Sequence, residues 1–396
     1  MRGNDLKHGA DLDAVDAYLA ACLRHALAHE AAPAWPGAWS EAHQHQALLE
    51  RCQYHGIANI LAGGDHPLAG WPRAVSDPLR FEARLAAVWE ESHRTALMGL
   101  LARLADAGVA VTVMKGTALA YLAYDQPAMR RRGDTDLLID ERDLERARAI
   151  LAEAGFSLHA GPHGLYCQET WRQRIGQHLQ HVIDLHWQPT DRPVLQRILR
   201  FEDFFRNRVP VPGLGPAAFA PSPVQMLMQG AVNQAWHTAR GYRVAGVRIV
   251  GGMRLVWQVD NALLVRQFDD AAWDELLRLC RARDARSIVY AALAGMQADL
   301  HRAIPEAVMA QLRQSPESSR AHSYIRAPET ALTKWSDINL SGSMWLRLRI
   351  MQMAIFPPRD HLVTTYPRLS HWPTPALQLR RYWDSVRRVF RRLAAR

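Results

Sequence analysis

The stretch RRRGDTDLLID, residues 130–140, sets two aspartates at the start of an apolar run that is typical of a buried strand. Side chains of a strand alternate between its faces, so Asp134 and Asp136 lie on one face and Thr135 on the other. Two carboxylates this close repel each other, and burial raises the cost further. A divalent cation removes that cost, because carboxylate oxygens suit Mg²⁺. The alternative is a solvated strand end that carries two ordinary surface acids.

A second apolar segment, VAVTVMKG (109–116), lies upstream and has the β-branched composition of a strand. It ends in Lys115 and Gly116, and Thr117 follows at the start of a short helical segment. The N–H groups of such a turn, with the lysine and the threonine hydroxyl, can hold a triphosphate. An ordinary surface lysine at a strand end is the alternative. Lysine occurs otherwise only at positions 7 and 334, which makes Lys115 conspicuous.

A third strand is indicated by HVIDLHW, residues 181–187, in which Asp184 and His186 share a face. An acid within a buried strand is costly unless a cation or a polar group pairs with it. The arginines of residues 130–132 stand beside the paired aspartates, where they could neutralise polyphosphate. The alternatives are a histidine that is satisfied within the core and arginines on a solvated loop.

The periodicity of the chain indicates three regions. Residues 1–104 are mainly helical, residues 105–208 form a small α/β core that holds the strands, and residues 209–396 are again mainly helical. Within the core, Asp140 is expected to cap a helix that ends at Gly155. The predicted fold class is α+β, with a small mixed sheet, flanking helices, and helical N- and C-terminal regions.

Other segments are assigned more simply. The region 156–175 is a weaker strand or hairpin, 209–223 is a Pro/Gly-rich linker, and 239–252 interrupts the helical series. The remaining predicted helices are 11–30, 40–62, 79–107, 117–124, 222–238, 253–267, 271–282, 284–301, 305–313 and 341–355.

Composition indicates a folded, globular protein. The chain has 396 residues, of which 48% are hydrophobic, and this suffices for a sizeable core. No apolar run could cross a membrane, and acids stand where a signal peptide needs apolar residues, so we expect a cytoplasmic location. The net charge of +9 comes almost wholly from arginine and alone is weak evidence for nucleic-acid binding. The cysteines lack paired spacing, which indicates reduced thiols: Cys22, Cys52, Cys167 and Cys280.

Together these motifs resemble a known family. The order of a strand ending in KGT, the motif RRRGDTDLLI and the strand with DLHW is similar to the uncharacterised bacterial nucleotidyltransferase-like family. That family is a distant branch of the DNA polymerase beta-type nucleotidyltransferase superfamily. The segments RLVWQVDNALLVRQFDDAAWDELLRLC (254–280) and FPPRDHLVTTYP (356–367) are similar to later parts of the family, so the resemblance covers most of 85–396.

The resemblance implies a catalytic centre with two Mg²⁺ ions. Asp134 and Asp136 would be ligands of both ions and Asp184 the third carboxylate. His186 is a candidate substrate contact. The resemblance further implies a site for the nucleotide, in which the Gly116–Thr117 turn takes the place of the superfamily's Gly-Ser turn.

The predicted nucleotide-binding residues are Lys115, Gly116, Thr117, Arg132 and Gly133. Two features depart from the pattern. Gly116 lies seventeen residues before Gly133, a longer gap than in the best-studied members of the superfamily. Asn233 and His237 also stand where many relatives carry a histidine pair.

The predicted function is Mg²⁺-dependent transfer of a nucleoside monophosphate from a nucleoside triphosphate to a hydroxyl acceptor by a two-metal mechanism. The acceptor is a small molecule, a peptide or protein, or a nucleic acid, although the chain has no recognisable RNA-binding module. The alternative is a non-catalytic nucleotide-binding or scaffold protein that retains the fold. The presence of all three aspartates argues against that alternative.

The C-terminal segment RRYWDSVRRVFRRLAAR, residues 380–396, carries seven arginines with apolar residues at helical spacing. Such a helix could make peripheral contact with an anionic membrane or dock against an acidic partner. The alternative is a terminal helix packed on its own domain with a solvated arginine face.

Overall fold

The structure, a computed structural model, describes residues 12–63, 68, 70–160, 167–175, 179–244, 247–313, 318–327, 344–357, 359–366 and 369–393. The part of the chain before the sheet is helical, as predicted. Its helices are α1 (Leu12–Leu27), α2 (Ala42–His55), α3 (Ala58–Ala62) and α4 (Arg73–Asp106).

Helix α4 is long and packs against the sheet. Its C-terminal half buries leucines at helical spacing, namely Leu97, Leu100, Leu101 and Leu104. The sequence predicts this helix only from residue 79, but it begins at Arg73. Pro78 lies in the second turn, so α4 lacks one backbone hydrogen bond close to its N-terminus.

One five-stranded mixed sheet forms the centre of the fold. Its spatial order is β1-β2-β5-β4-β3, with β2 and β5 parallel and the other neighbours antiparallel. Strands β1 and β2 are buried along their whole length, as their continuous apolar runs predict. The strands are β1 (Val111–Met114), β2 (Thr135–Ile139), β3 (Ser157–Ala160), β4 (Gln168–Ile175) and β5 (Leu179–His186).

Two short helices connect the strands near the site. Helix α5 (Lys115–Leu122) starts directly where β1 ends, and α6 (Leu144–Glu153) follows β2. Asp140 accepts a hydrogen bond from the backbone N–H of Arg142, so it caps a 3₁₀ turn that leads into α6. Gly155 ends the helix in the left-handed conformation, with φ of 85°, as the sequence predicts.

The part of the chain after the sheet is again mainly helical. Two short hairpins replace the predicted linker at 209–223 and the predicted break at 239–252: β6 (Val209–Pro210) with β7 (Phe219–Ala220), and β8 (Tyr242–Val244) with β9 (Val247–Ile249). The helices are α7 (Pro193–Gln196), α8 (Phe201–Arg206), α9 (Pro223–Arg240), α10 (Leu255–Val265), α11 (Asp270–Ala282), α12 (Arg286–Leu300), α13 (Glu306–Leu312), α14 (Arg320–Arg326), α15 (Met344–Ile355), α16 (Arg359–Thr365) and α17 (Thr374–Leu393).

The predicted α+β class, a mixed sheet with flanking helices and helical terminal regions, is confirmed. Buried apolar side chains form one cluster that extends from α1 through the sheet to α14. The domain borders at 104 and 208 stay predictions. Cys22, Cys52 and Cys280 are buried, and Cys167 is partly exposed. Among the described residues, no helix is long and apolar enough to cross a membrane.

Candidate active site

A row of side chains crosses the sheet at the level of Asp136. Parallel pairing sets Asp136 opposite Asp184, while the antiparallel neighbours set Met114 beside Asp136 and Thr170 beside Asp184. Residues directly opposite each other on neighbouring strands project from the same face of a sheet. The two acids therefore stand side by side, held by main-chain pairing and not by a flexible loop.

Two cationic or polar groups donate to one oxygen of Asp136. Lys115 Nζ lies 2.5 Å from Asp136 Oδ1, and His186 Nε2 lies 2.8 Å from the same oxygen. Burial alone would raise the pKa of Asp136, but the charge of Lys115 and the hydrogen bond from His186 outweigh it, so the pKa is lowered. Asp136 is thus ionised, and neither of these bonds uses its Oδ2.

The pKa values of the other two carboxylates, Asp184 and Asp134, are raised instead. Burial, and then the charge of Asp136, raises the pKa of Asp184, although the Thr170 hydroxyl donates to its Oδ1 at 2.6 Å. Asp134 is exposed and lies directly before β2, with protein atoms packed around part of its carboxyl. This desolvation, followed by the charges of Asp136 and Asp184, raises the pKa of Asp134 to about 7.

The donor set fits a divalent cation. One ligand atom each from Asp136, Asp184 and His186 lies within 4.8 Å of the others, a grouping found among the described residues. Asp134 interacts with this group electrostatically but is not part of the tight cluster. Lys115 acts on all three carboxylates, and Arg130, which is already paired with Asp260, acts on Asp134, so the fully ionised cluster carries more negative than positive charge.

The turn between β1 and α5 has an unusual backbone. Lys115 has φ of 52°, in the left-handed region that a residue with a Cβ enters at a cost of roughly 1–2 kcal/mol. This conformation brings the lysine onto Asp136 and starts α5 at once, so the N–H groups of Gly116 and Thr117 belong to the first turn of a helix. Burial alone would lower the pKa of Lys115, but Asp136 outweighs it and raises the pKa.

The three arginines before the aspartates all pair with acids. Arg132 is the most buried of them, and its Nη2 donates to Glu90 Oε1 at 2.6 Å while its Nε donates to the Thr117 hydroxyl at 3.1 Å. In this structure Arg132 therefore supports the turn from behind, and its assignment as a nucleotide ligand stays a prediction. The three pairs are Arg130–Asp260, Arg131–Glu82 and Arg132–Glu90.

A buried polar network lies beneath the row of acids. His93 Nε2 is 2.7 Å from the Thr135 hydroxyl, and His93 Nδ1 is 3.1 Å from Nδ1 of His181. The Thr135 hydroxyl lies in turn 3.0 Å from that of Thr117. Burial, and then the charge of Arg132, lowers the pKa of His93 to about 3, so the ring is neutral.

Sequence reasoning missed this network and the hydroxyl of Thr170. The two histidines and two threonines of the network are spread over α4, α5, β2 and β5, and nothing in their local spacing indicates that they meet. His93 on an amphipathic helix is an ordinary residue by sequence alone. Only alternation was available as a signal, because it sets Thr135 on the face opposite the two aspartates.

Helix α9 reaches the neighbourhood of the site. Gln229 Nε2 lies 3.5 Å from the sulfur of Met114, at the end of β1. Burial, and then the charge of Lys115, lowers the pKa of His237 on the same helix. Asn233 is half-buried, one turn before His237. Both residues therefore lie on an element that packs behind Lys115, and their role stays open to test.

Gly133, the last of the predicted nucleotide-binding residues, is exposed just before β2. It lines an open cavity of about 380 Å³ together with Trp89, Glu90 and the three arginines. A Cβ added at Gly133 would meet no atom within 4 Å, so a lack of space for a side chain is not the reason that glycine occupies this position.

Comparison with known proteins supports the resemblance seen in the sequence. No curated protein matches this chain. A solved structure, an antigenic nucleotidyltransferase-like protein from Paracoccidioides brasiliensis, is similar to it at 16% sequence identity with a TM-score of 0.31, covering 50% of this chain and 92% of that one. The model of a family described as uncharacterised nucleotidyltransferase matches residues 41–301, more than half of the chain. The chain therefore belongs to this family of uncharacterised nucleotidyltransferases.

Proposed function

We propose that the protein is a metal-dependent nucleotidyltransferase that moves a nucleoside monophosphate from a nucleoside triphosphate to a hydroxyl acceptor. The observation that carries the proposal is the adjacent pair of Asp136, which is buried, and Asp184, which is half-buried, with Lys115 as the ammonium that both acids and Asp134 act on. A purely structural role would favour a balanced ion pair, because unbalanced buried charge destabilises a fold.

In this proposal Asp134, Asp136 and Asp184 hold Mg²⁺, two ions as in the wider superfamily. Bound magnesium supplies the charge neutralisation that the triphosphate needs and lowers the pKa of a nearby hydroxyl. His186 donates to Oδ1 of Asp136, which orients the carboxylate and directs Oδ2 toward a ligand. This role supplements the predicted contact of His186 with substrate.

The phosphates of the nucleotide lie, in this proposal, against the first turn of α5. The N–H groups of Gly116 and Thr117 point out of that turn, and Gly133 lets a ligand approach the main chain closely. When no ligand is bound, Lys115 donates a hydrogen bond to Asp136, and in this proposal its ammonium moves to the phosphates when the nucleotide binds. Arg132 fixes the Thr117 hydroxyl, so it acts on the nucleotide through the turn.

Asp184 is the proposed proton acceptor for the attacking hydroxyl. Its raised pKa brings it closer to the range in which a carboxylate accepts a proton effectively, and Thr170 holds one of its oxygens in place. The acceptor substrate is a small molecule, a peptide or a protein. These classes remain to be screened once the donor nucleotide is known.

The test is calorimetric binding of ATP, GTP, CTP and UTP to the full chain, with and without Mg²⁺. We expect one nucleotide to bind only with Mg²⁺, and we expect Asp136→Asn and Asp184→Asn to abolish that binding. Asp77→Asn is the matched control, because Asp77 is an exposed acid on α4 whose loss changes the net charge equally.

Turnover is then measured as pyrophosphate release from the nucleotide that binds, with candidate acceptors added. Mg²⁺-dependent release that disappears in Asp184→Asn supports transfer. Mg²⁺-dependent binding without release in any acceptor class would favour the non-catalytic nucleotide-binding alternative. Binding that ignores both metal and the two substitutions contradicts the proposed site.

A further inference from the structure

Helix α17 exposes its apolar side. Leu379, Trp383 and Val386 follow one another at helical spacing and are 69%, 63% and 48% exposed. Phe390 and Leu393 continue the same spacing in the sequence. An amphipathic helix of a globular protein normally buries this stripe against its own core. In the described part of α17, the stripe of Leu379, Trp383 and Val386 is thus not covered by the protein's own core.

Helix α17 packs against α16 through the side opposite to this stripe. Leu377 is fully buried, and the hydroxyl of Tyr366, just after α16, donates to Asp384 Oδ2 at 3.0 Å. At 3.6 residues per turn, Leu377 and Asp384 project roughly 140–160° away from Leu379. The contact with α16 thus fixes the orientation of α17 so that the apolar stripe points outward from it.

Helix α15 presents a second exposed apolar stripe. Met344, Leu348 and Ile355 are spaced for one face of α15 and are 74%, 53% and 46% exposed. The hydroxyl of Tyr382 on α17 donates to the backbone carbonyl of Ile355, so the end of α15 lies next to α17. The two stripes form what we call the C-terminal apolar surface: Met344, Leu348 and Ile355 with Leu379, Trp383 and Val386.

The charge beside this surface is almost entirely positive. Helix α17 has one acid, Asp384, and six arginines, which come in the pairs 380–381, 387–388 and 391–392. Arg380 and Arg387 project roughly 80–100° from Leu379, at the border of the stripe. Apolar side chains that include a tryptophan, bordered by arginines, are the chemistry of a helix that lies in a lipid interface.

We propose that the C-terminal apolar surface docks the protein on an anionic lipid bilayer. The apolar side chains enter the boundary between headgroups and acyl chains, while the arginines remain at the level of the lipid phosphates. A second copy of this surface is a poor partner, because a symmetric contact would bring arginine stripes together. The inference does not depend on the proposed nucleotidyl transfer.

The test is sedimentation of the full chain with vesicles of phosphatidylcholine alone and of equal parts phosphatidylcholine and phosphatidylglycerol. We expect binding to the mixed vesicles that weakens as salt is added, and little binding to the neutral ones. Trp383→Asp and Arg387→Glu should each weaken binding about tenfold or more. Phe81→Asp and Arg142→Glu, at exposed positions elsewhere, are the matched controls and should bind as wild type.

Circular dichroism and urea unfolding check that each variant is folded. Equal binding to both vesicle types, or binding that Trp383→Asp and Arg387→Glu leave unchanged, overturns the proposal. Failure of the folded wild type to bind either vesicle also overturns it, and points instead to an acidic protein partner. A wild-type dimer that Trp383→Asp dissociates overturns it in favour of contact between copies.

Discussion

Two acidic sites in this chain, one around Asp260 and one around Asp136, differ in how many cations balance their carboxylates. Asp260 on α10 accepts three hydrogen bonds. Arg130 donates from Nε to Oδ1 and from Nη2 to Oδ2, both at 2.8 Å, and the Tyr124 hydroxyl donates to Oδ1 at 2.7 Å. One anion thus meets one cation with both oxygens bonded. Asp136 and Asp184 instead share a single lysine with Asp134.

The difference separates a structural ion pair from a candidate ligand site. The pair of Arg130 and Asp260 ties the loop before β2 to a helix far along the sequence and is complete without a ligand. The cluster on β2 and β5 is incomplete by charge, and a divalent cation with a polyphosphate would complete it. The predictions below test this contrast, beginning with the largest effect.

Removing one partner of the complete pair should destabilise the fold strongly. We expect Asp260→Asn to lower the free energy of unfolding by about 3–5 kcal/mol, because Arg130 would remain buried without a counter-charge. Asp184→Asn should change it by less than about 1 kcal/mol without metal, because it relieves repulsion from Asp136. Urea unfolding in EDTA measures both. Equal losses of unfolding free energy in the two variants would mean that Asp184, like Asp260, has a structural role.

Removing the single cation should affect metal and nucleotide in opposite directions. In Lys115→Met, Mg²⁺ alone should bind about tenfold more tightly, since the ion no longer competes with the ammonium for Asp136. The Mg²⁺-nucleotide complex should bind about tenfold more weakly, since the phosphates lose a cation. Calorimetry measures both, with Arg142→Met as the control. A fall in both affinities would show that Lys115 only maintains the local structure.

Metal binding should depend on pH through Asp134. Its pKa of about 7 means that a proton must leave as the ion binds below that pH, so Mg²⁺ affinity should fall between about pH 8 and pH 6, by at most about tenfold per pH unit. In metal-free protein the raised pKa means that Asp134 binds a proton more tightly in the folded chain than in the unfolded chain, so protonation of Asp134 stabilises the fold. That contribution is present below about pH 4 and lost as the pH rises through about 7.

Asp134→Asn should flatten the pH dependence of Mg²⁺ binding, while Asp77→Asn should leave it unchanged. Calorimetric titration of Mg²⁺ at several pH values provides the measurement. A wild-type affinity that is constant between about pH 8 and pH 6 would place Asp134 outside the set of metal ligands.

The network below the acids should make the stability of the fold depend on pH. Because the pKa of His93 is lowered to about 3, the unfolded chain takes up a proton below about pH 6.5 that the folded protein excludes. Stability should therefore fall as the pH drops from about 6.5 toward 3. His93→Gln should reduce this slope by at most about 1.4 kcal/mol per pH unit. Exposed His43→Gln is the control, and an identical slope in both variants would exclude His93 as its source.

Much of the fold and the acids of the candidate site could be predicted from local patterns. Apolar runs identified the strands that carry Asp136 and Asp184, alternation gave the face on which each acid lies, and the caps at Asp140 and Gly155 bounded the helix between them. These features depend on residues within a few positions of each other, so the sequence displays them directly. The hairpins at 209–220 and 242–249 were missed, because short strands leave little periodicity.

The sequence by itself determined which residues carry charge into apolar strands and which helices are amphipathic. Tertiary structure decided which of those charges are balanced: Arg130 meets Asp260, while Asp184 meets Asp136. It also decided that α17 docks by Leu377 and leaves Trp383 exposed. The physical reason is that periodicity fixes the face on which a side chain lies, whereas its partner is set by contacts between segments distant in sequence.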